Sequence, residues 1–230
     1  MYNIHIDTTG VSFEDHFEFP DLETLHLSSS SWPDSYSIAI RFFCENSPKL
    51  KDIEVGQLVI TDDSDGVARS IGSLLSRPAL RNLEIEFGDP FEEDETFHEP
   101  IMNLFHCPTE KPELERLKID FNFNFKNLSL SCFHQFVKNN FNLKSLKLYG
   151  LKNSDNEKAN QTVIKDIVNI LDCDHGLETI YLGSLLGDFR GERIYTDIKR
   201  YEFPQIIEYL KKRMILLDLL ETSAEARALI

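Results

Sequence analysis

Six times along the chain the pattern Leu-x-x-(Leu/Ile)-x-(Leu/Ile/Val) returns. It runs as Leu22-Glu23-Thr24-Leu25-His26-Leu27, then at 50–55, 80–85, 114–119, 143–148 and 177–182. Chance supplies roughly one such match in a chain of this composition. The starts lie 28, 30, 34, 29 and 34 residues apart, a period with tolerated insertions. The alternation that ends each copy is that of a β-strand with one buried side. Pro20, Pro48, Pro78 and Pro112 stand two places before the first leucine of four copies. A ring that fixes φ and lacks an N–H there can end a helix and launch a strand. A degenerate copy opens the chain at Met1, Ile4 and Ile6.

Between the copies the apolar period lengthens from two to about 3.6, the period of a helix. Val67, Ile71, Leu74 and Leu75 make one apolar face. Ile101, Leu104 and Phe105 make a second, Leu130, Phe133, Phe136 and Val137 a third, and Val163, Ile164, Ile167, Val168 and Leu171 a fourth. From Tyr36 to Cys44 two readings stay open, a helix or, through Ile38, Ile40 and Phe42, a strand. One strand and one helix cannot bury their apolar sides alone, whereas stacked neighbours share a core. Parallel strands also need long crossovers, which helices supply.

This arrangement resembles the leucine-rich repeats of the long, ribonuclease-inhibitor-like class, over about residues 1–187. The resemblance implies an α/β fold, a curved solenoid with a parallel sheet on the concave side and helices on the convex side. The family places Asn or Cys three residues after the last strand leucine; here those places hold Ser30, Leu58, Gly88, Asn122, Leu151 and Leu185. The expected organisation is a solenoid of six to seven units over 1–187 and a helical cap over 188–230. The cap is read from Ile206, Ile207, Leu210, Met214, Leu217 and Leu220, with Thr222-Ser223-Ala224-Glu225 as a capping box for a short last helix. The first strand is expected to leave an exposed edge, unless the chain is part of a longer array.

Charge and motif content narrow the function. With 24 Lys plus Arg against 39 Asp plus Glu, the formal charge is −15, which disfavours nucleic acid as a partner. No apolar run approaches the ~20 residues that a bilayer span requires, so no membrane partner is expected. Neither a basic n-region nor an apolar h-region stands at the start, making cytoplasm or nucleus the expected location and leaving the sequons at Asn127 and Asn160 without a role. Cys44, Cys107, Cys132 and Cys173 form no C-x-x-C pair and read as buried reduced thiols. No nucleotide-binding glycine loop, zinc-protease helix or serine-hydrolase elbow is found, so no enzyme, cofactor or small-molecule ligand is expected. His98 and His106 near Glu92, Glu93, Asp94, Glu95 and Glu99 read as a solvated acidic loop and not as a metal site. Phe121, Phe123 and Phe125 read as strand extension with rings in the core.

The residues forced outward by the strand period are the candidates for binding. One column reads His5, His26, Glu54, Glu84, Lys118, Lys147, Tyr181. The next reads Asp7, Ser28, Gly56, Glu86, Asp120, Tyr149, Gly183. At about 4.8 Å per strand they would line a groove on the order of 30 Å long. Glu54, Glu84 and Glu86 are expected to form an acidic centre beside a basic and aromatic section of Lys118, Lys144, Lys147 and Tyr149. The long insertions at 89–99 and 152–158 would shape one rim. The expected partner is another protein, held through His26, Glu54, Glu84, Glu86, Lys118, Asp120, Lys147, Tyr149 and Tyr181. Some long-repeat solenoids activate GTPases or receive substrates for ubiquitin ligases, and both roles are alternatives that the resemblance implies. Within these 230 residues no distinctive acidic tail or F-box-like segment is found, which places a plain binding module ahead of them.

Overall fold

Each opening leucine is held by a turn. The backbone N–H of Leu22 donates to the carbonyl of Phe19 at 3.1 Å, Leu50 to Ser47 at 3.2 Å, Leu80 to Arg77 at 3.4 Å and Leu143 to Asn140 at 2.9 Å. These four-residue turns need φ near −60° and no donor at their second position, which is where Pro20, Pro48 and Pro78 stand. The computed structural model describes residues 3–7, 18–28, 33–58, 64–88, 105, 113–121, 124–125, 130–149, 152–153, 157–182 and 197–222. Pro112, and most of the expected helix around Ile101 and Leu104, lie outside them.

The turns feed a mostly parallel α/β sheet. Its strands are β1 (Asn3–Asp7), β2 (Thr24–Ser28), β3 (Asp52–Leu58), β4 (Asn82–Phe87), β5 (Arg116–Phe121), β7 (Ser145–Tyr149), β9 (Thr179–Leu182) and β10 (Asp197–Lys199). They pair in chain order, β1-β2-β3-β4-β5-β7-β9-β10, and every pairing is parallel except that of β10 with β9. Two short strands, β6 (Asn124–Phe125) and β8 (Lys152–Asn153), form a second parallel pair beyond the ends of β5 and β7. Helices α1 (Pro33–Asn46), α2 (Ser64–Leu75), α3 (Ser131–Asn139) and α4 (Glu157–Asp172) supply crossovers, and α5 (Phe203–Thr222) follows β10 and packs on α4.

Register turns the sequence pattern into columns. Leu25, Ile53, Leu83, Leu117, Leu146 and Ile180 are partners across successive strands, as are Leu27, Val55, Ile85, Ile119, Leu148 and Leu182. The opening leucines Leu22, Leu50, Leu80, Leu114, Leu143 and Leu177 are all buried with them in one core that also takes the apolar faces of the helices; the side chain of Leu182 lies outside the described residues. Phe121 stacks on Phe87 at 5.7 Å and meets Phe133 edge-on, so the first of the three alternating phenylalanines is a core ring. Phe123 and the side chain of Phe125 lie outside the described residues.

Three local features refine the expected fold. The ambiguous 36–44 segment is helical: Pro33 takes the first helical position, where its missing N–H costs nothing, and Ala39, Ile40 and Phe43 bury one face. Strand β3 carries a bulge between Val55 and Leu58. The extra residue re-phases the strand, so Leu58 turns inward opposite Phe87. Side chains also supply helix caps from neighbouring units. Buried Asp166 on α4 accepts the N–H of Leu130 at 2.7 Å, where leucine itself cannot cap α3. Arg77 donates to the Cys44 and Ser47 carbonyls at the end of α1.

Among the described residues no helix is long and apolar enough to cross a membrane. The three described cysteines are unbridged, but of the expected buried thiols only Cys132 is fully buried, which pushes its thiol up to about 12, while Cys44 and Cys173 are part-exposed.

Candidate functional site

With the template aliphatics turned inward among the described side chains, the other side of the sheet is left to the intervening residues. Arg116, Lys118 and Asp120 alternate with buried Leu117, Ile119 and Phe121 on β5, and Lys147 alternates with Leu146 and Leu148 on β7. The His26, Glu54, Glu84, Lys118, Lys147, Tyr181 column is in register from β2 to β9. His5 continues it on β1 by backbone register, as Asp7 does beside Ser28; the side chains of His5, Asp7 and Ser28 lie outside the described residues. In the second column Glu86, Asp120 and Tyr149 are partners, but the bulge breaks the step from Gly56 to Glu86. Gly183 lies outside the described residues.

A third column was not read from the sequence. Thr24, Asp52, Asn82, Arg116, Ser145 and Thr179 are partners one step earlier along the strands. They are the third residue of each repeat, two places before the outward residue already identified, and strand parity alone could have found them. From β2 to β7 this column and the first line a shallow groove of about 490 Å³ that runs from His26 to Lys147, with Glu86, Asp120, Tyr149 and Tyr181 outside its lining. Lys144 does not line it, because it shares the parity of buried Leu146 and not that of Lys147. Its backbone instead donates to Glu115 and accepts from Glu178 and Thr179.

Ion pairing redistributes the expected charge. The His26 ring nitrogen Nδ1 lies 2.5 Å from Glu54 Oε2, Lys118 donates to Glu84, and Asn82 donates to Asp52. Glu54 and Glu84 are therefore engaged within the sheet, and Glu86 stands in register with Asp120 beside them. Burial first, then Glu86, pushes the Asp120 carboxyl above its ordinary value, while Lys118 pulls the other way. Burial alone would lower the Lys118 ammonium; the hydrogen bond and charge of Glu84, with Tyr149 and Asp120 behind them, outweigh it and raise it.

The aromatic section spans β7 and β9. Tyr149 and Tyr181 lie with ring centres 4.6 Å apart, and the Lys118 ammonium sits 5.5 Å from the centre of the Tyr149 ring. Arg116 and Lys147 hold no ion pair among the described residues. Surface pairs of the Lys118–Glu84 kind contribute only about 0–1 kcal/mol, so the arrangement matters more for orientation than for stability. The 89–99 rim, His98 and His106 lie outside the described residues. Of the 152–158 rim, Lys152 and Asn153 form β8 and the start of α4 follows.

A second cavity, of about 580 Å³, opens at the other end of the chain between the end of α4 and the start of α5. Cys173, His175, Arg200, Phe203 and Lys211 are among its walls. Among the described residues no three His, Cys, Asp or Glu side chains gather to hold a metal ion. No protein-family model and no curated protein sequence matches the chain.

Proposed function

We propose that the chain is a leucine-rich-repeat solenoid that works as a protein-binding module, with the open face of its sheet as the contact surface. The observation that carries this reading is the registered array of outward side chains. Three columns of polar, charged and aromatic residues share one face that no element covers among the described residues, while the opposite face is spent on the core. A rigid parallel sheet fixes the spacing of such side chains before a partner arrives, which lowers the entropy cost of binding. Tyr149 and Tyr181 are the anchors, since large, half-buried rings dominate interface energetics. Glu86, Asp120, Arg116, Lys118 and Lys147 set orientation and association rate. The role is one of recognition without catalysis, in cytoplasm or nucleus.

Affinity capture from native extract, run in parallel with wild type and with Lys118→Glu plus Lys147→Glu, tests it. The reading predicts a protein partner retained by wild type and lost by the double reversal, with cooperative unfolding kept in both chains, since losing the Lys118–Glu84 pair and facing Glu84 with a second carboxylate costs only about 1 kcal/mol. A partner retained equally by both chains would remove the open face from consideration.

A further inference from the structure

The open face contains a local excess of positive charge on a strongly acidic chain. Lys118 on β5 and Lys147 on β7 are direct partners in register, and like charges placed so are mutually destabilising. Arg116 stands two residues before Lys118 on the same strand, opposite Ser145. Neighbouring strands are about 4.8 Å apart and alternate residues about 6.6 Å, so the ends of these long side chains can converge on one point. Glu84 compensates Lys118, but Arg116 and Lys147 have no anionic partner among the described residues. Beside them the Tyr149–Tyr181 pair offers an apolar rest, and Glu86 with Asp120 closes the far side to anions.

We propose that Arg116, Ser145 and Lys147 receive a carboxylate side chain from an acidic segment of the partner protein, which lies across β5 and β7 against Tyr149 and Tyr181. This rests on the reading of the open face as the binding surface and adds the chemistry of the ligand. Two charge-assisted hydrogen bonds from separate strands fix the carboxylate, and the hydroxyl of Ser145 supplies a third donor. The acidic flank of Glu86 and Asp120 gives the segment its direction, because a second carboxylate is repelled there.

The test uses capped tetraglutamate, tetralysine and tetraglutamine peptides, titrated into the full chain at low salt while its backbone amide resonances are followed. Tetraglutamate should shift the amides of Arg116, Ser145 and Lys147, and tetraglutamine should not. Affinity should fall roughly tenfold in Arg116→Gln plus Lys147→Gln, about 1.4 kcal/mol for the lost charged contacts, and survive in Arg116→Lys. Both side chains are exposed, so these variants keep the fold. Shifts at Glu86 and Asp120 by tetralysine, with none by tetraglutamate, would overturn the acidic ligand while leaving the open face as a binding surface. Tetraglutamate shifts confined to other surfaces would also overturn it. The capture experiment requires only that the face matters, so it decides the broader reading separately.

Discussion

His175 does with a side chain what earlier units do with a carbonyl. The N–H of Leu177 is accepted at 3.1 Å by the His175 Nδ1, two residues back, where four earlier units use a backbone oxygen three residues back. That nitrogen accepts only when it carries no proton. Burial holds the imidazole below its ordinary value, against the pull of the Leu171 backbone; Arg200 lowers it further and Asp174 raises it, while the Phe203 ring stands 5.8 Å away. A histidine whose folded value lies below its unfolded value, near 6.5, adds stability above that pH and loses it as pH falls. Chemical unfolding should therefore show the chain more stable at pH 7.5 than at pH 5.5 by a margin that His175→Asn reduces, since Asn retains an acceptor but does not titrate. An undiminished margin in His175→Asn would show that other groups carry the pH dependence. At this same scale the ion pairs were the least legible feature of the sequence. The pairing of Lys118 with Glu84 joins residues in successive units, so it depends on a register that no local pattern states.

At the scale of elements, each strand is set by where its turn begins, and the last turn has a steric requirement of its own. A Cβ on Gly176 would stand 1.8 Å from the Phe141 carbonyl oxygen and 2.9 Å from its carbon, backbone atoms that cannot swing away. On Gly56 the nearest atom would be the Leu27 oxygen at 3.8 Å, an ordinary contact. Thermal unfolding should find Gly176→Ala destabilised by about 1–3 kcal/mol, as overpacking is, and Gly56→Ala nearly unchanged; equal effects would contradict the close approach of these turns. The strands and most helices were legible because Leu, Ile and Val repeat at periods that only one packing satisfies. Helix α1 was ambiguous because Ile38, Ile40 and Phe42 fit period two as well, and the burial of Ala39, Ile40 and Phe43 settled it as a helix. The bulge at Gly56 and Gln57 had a signal in Gly56, since glycine inside a strand often marks a bulge, but the repeat template stops at Val55 and did not read it. The Thr24-to-Thr179 column was missed because the template treats its third position as filler, although parity places it beside His26 and its equivalents.

At the scale of the whole molecule, the sheet grows by one strand per unit in chain order and is finished differently at its two sides. On the β9 side, β10 pairs antiparallel and α5 packs on α4. On the other side β1 adds one more parallel strand to the array. Everything proposed about the open face depends on this strand order, because only sequential stacking puts Glu84, Lys118, Lys147 and Tyr181 in one row. Spin-label distances along that row test it most directly. Labels at His26 with Lys147, and at Glu54 with Tyr181, each span four strand steps, so both pairs should report about 19 Å, at ~4.8 Å per step. Two clearly unequal distances, or values beyond roughly 30 Å, would mean that the strands do not stack in sequence and that the shared face does not exist.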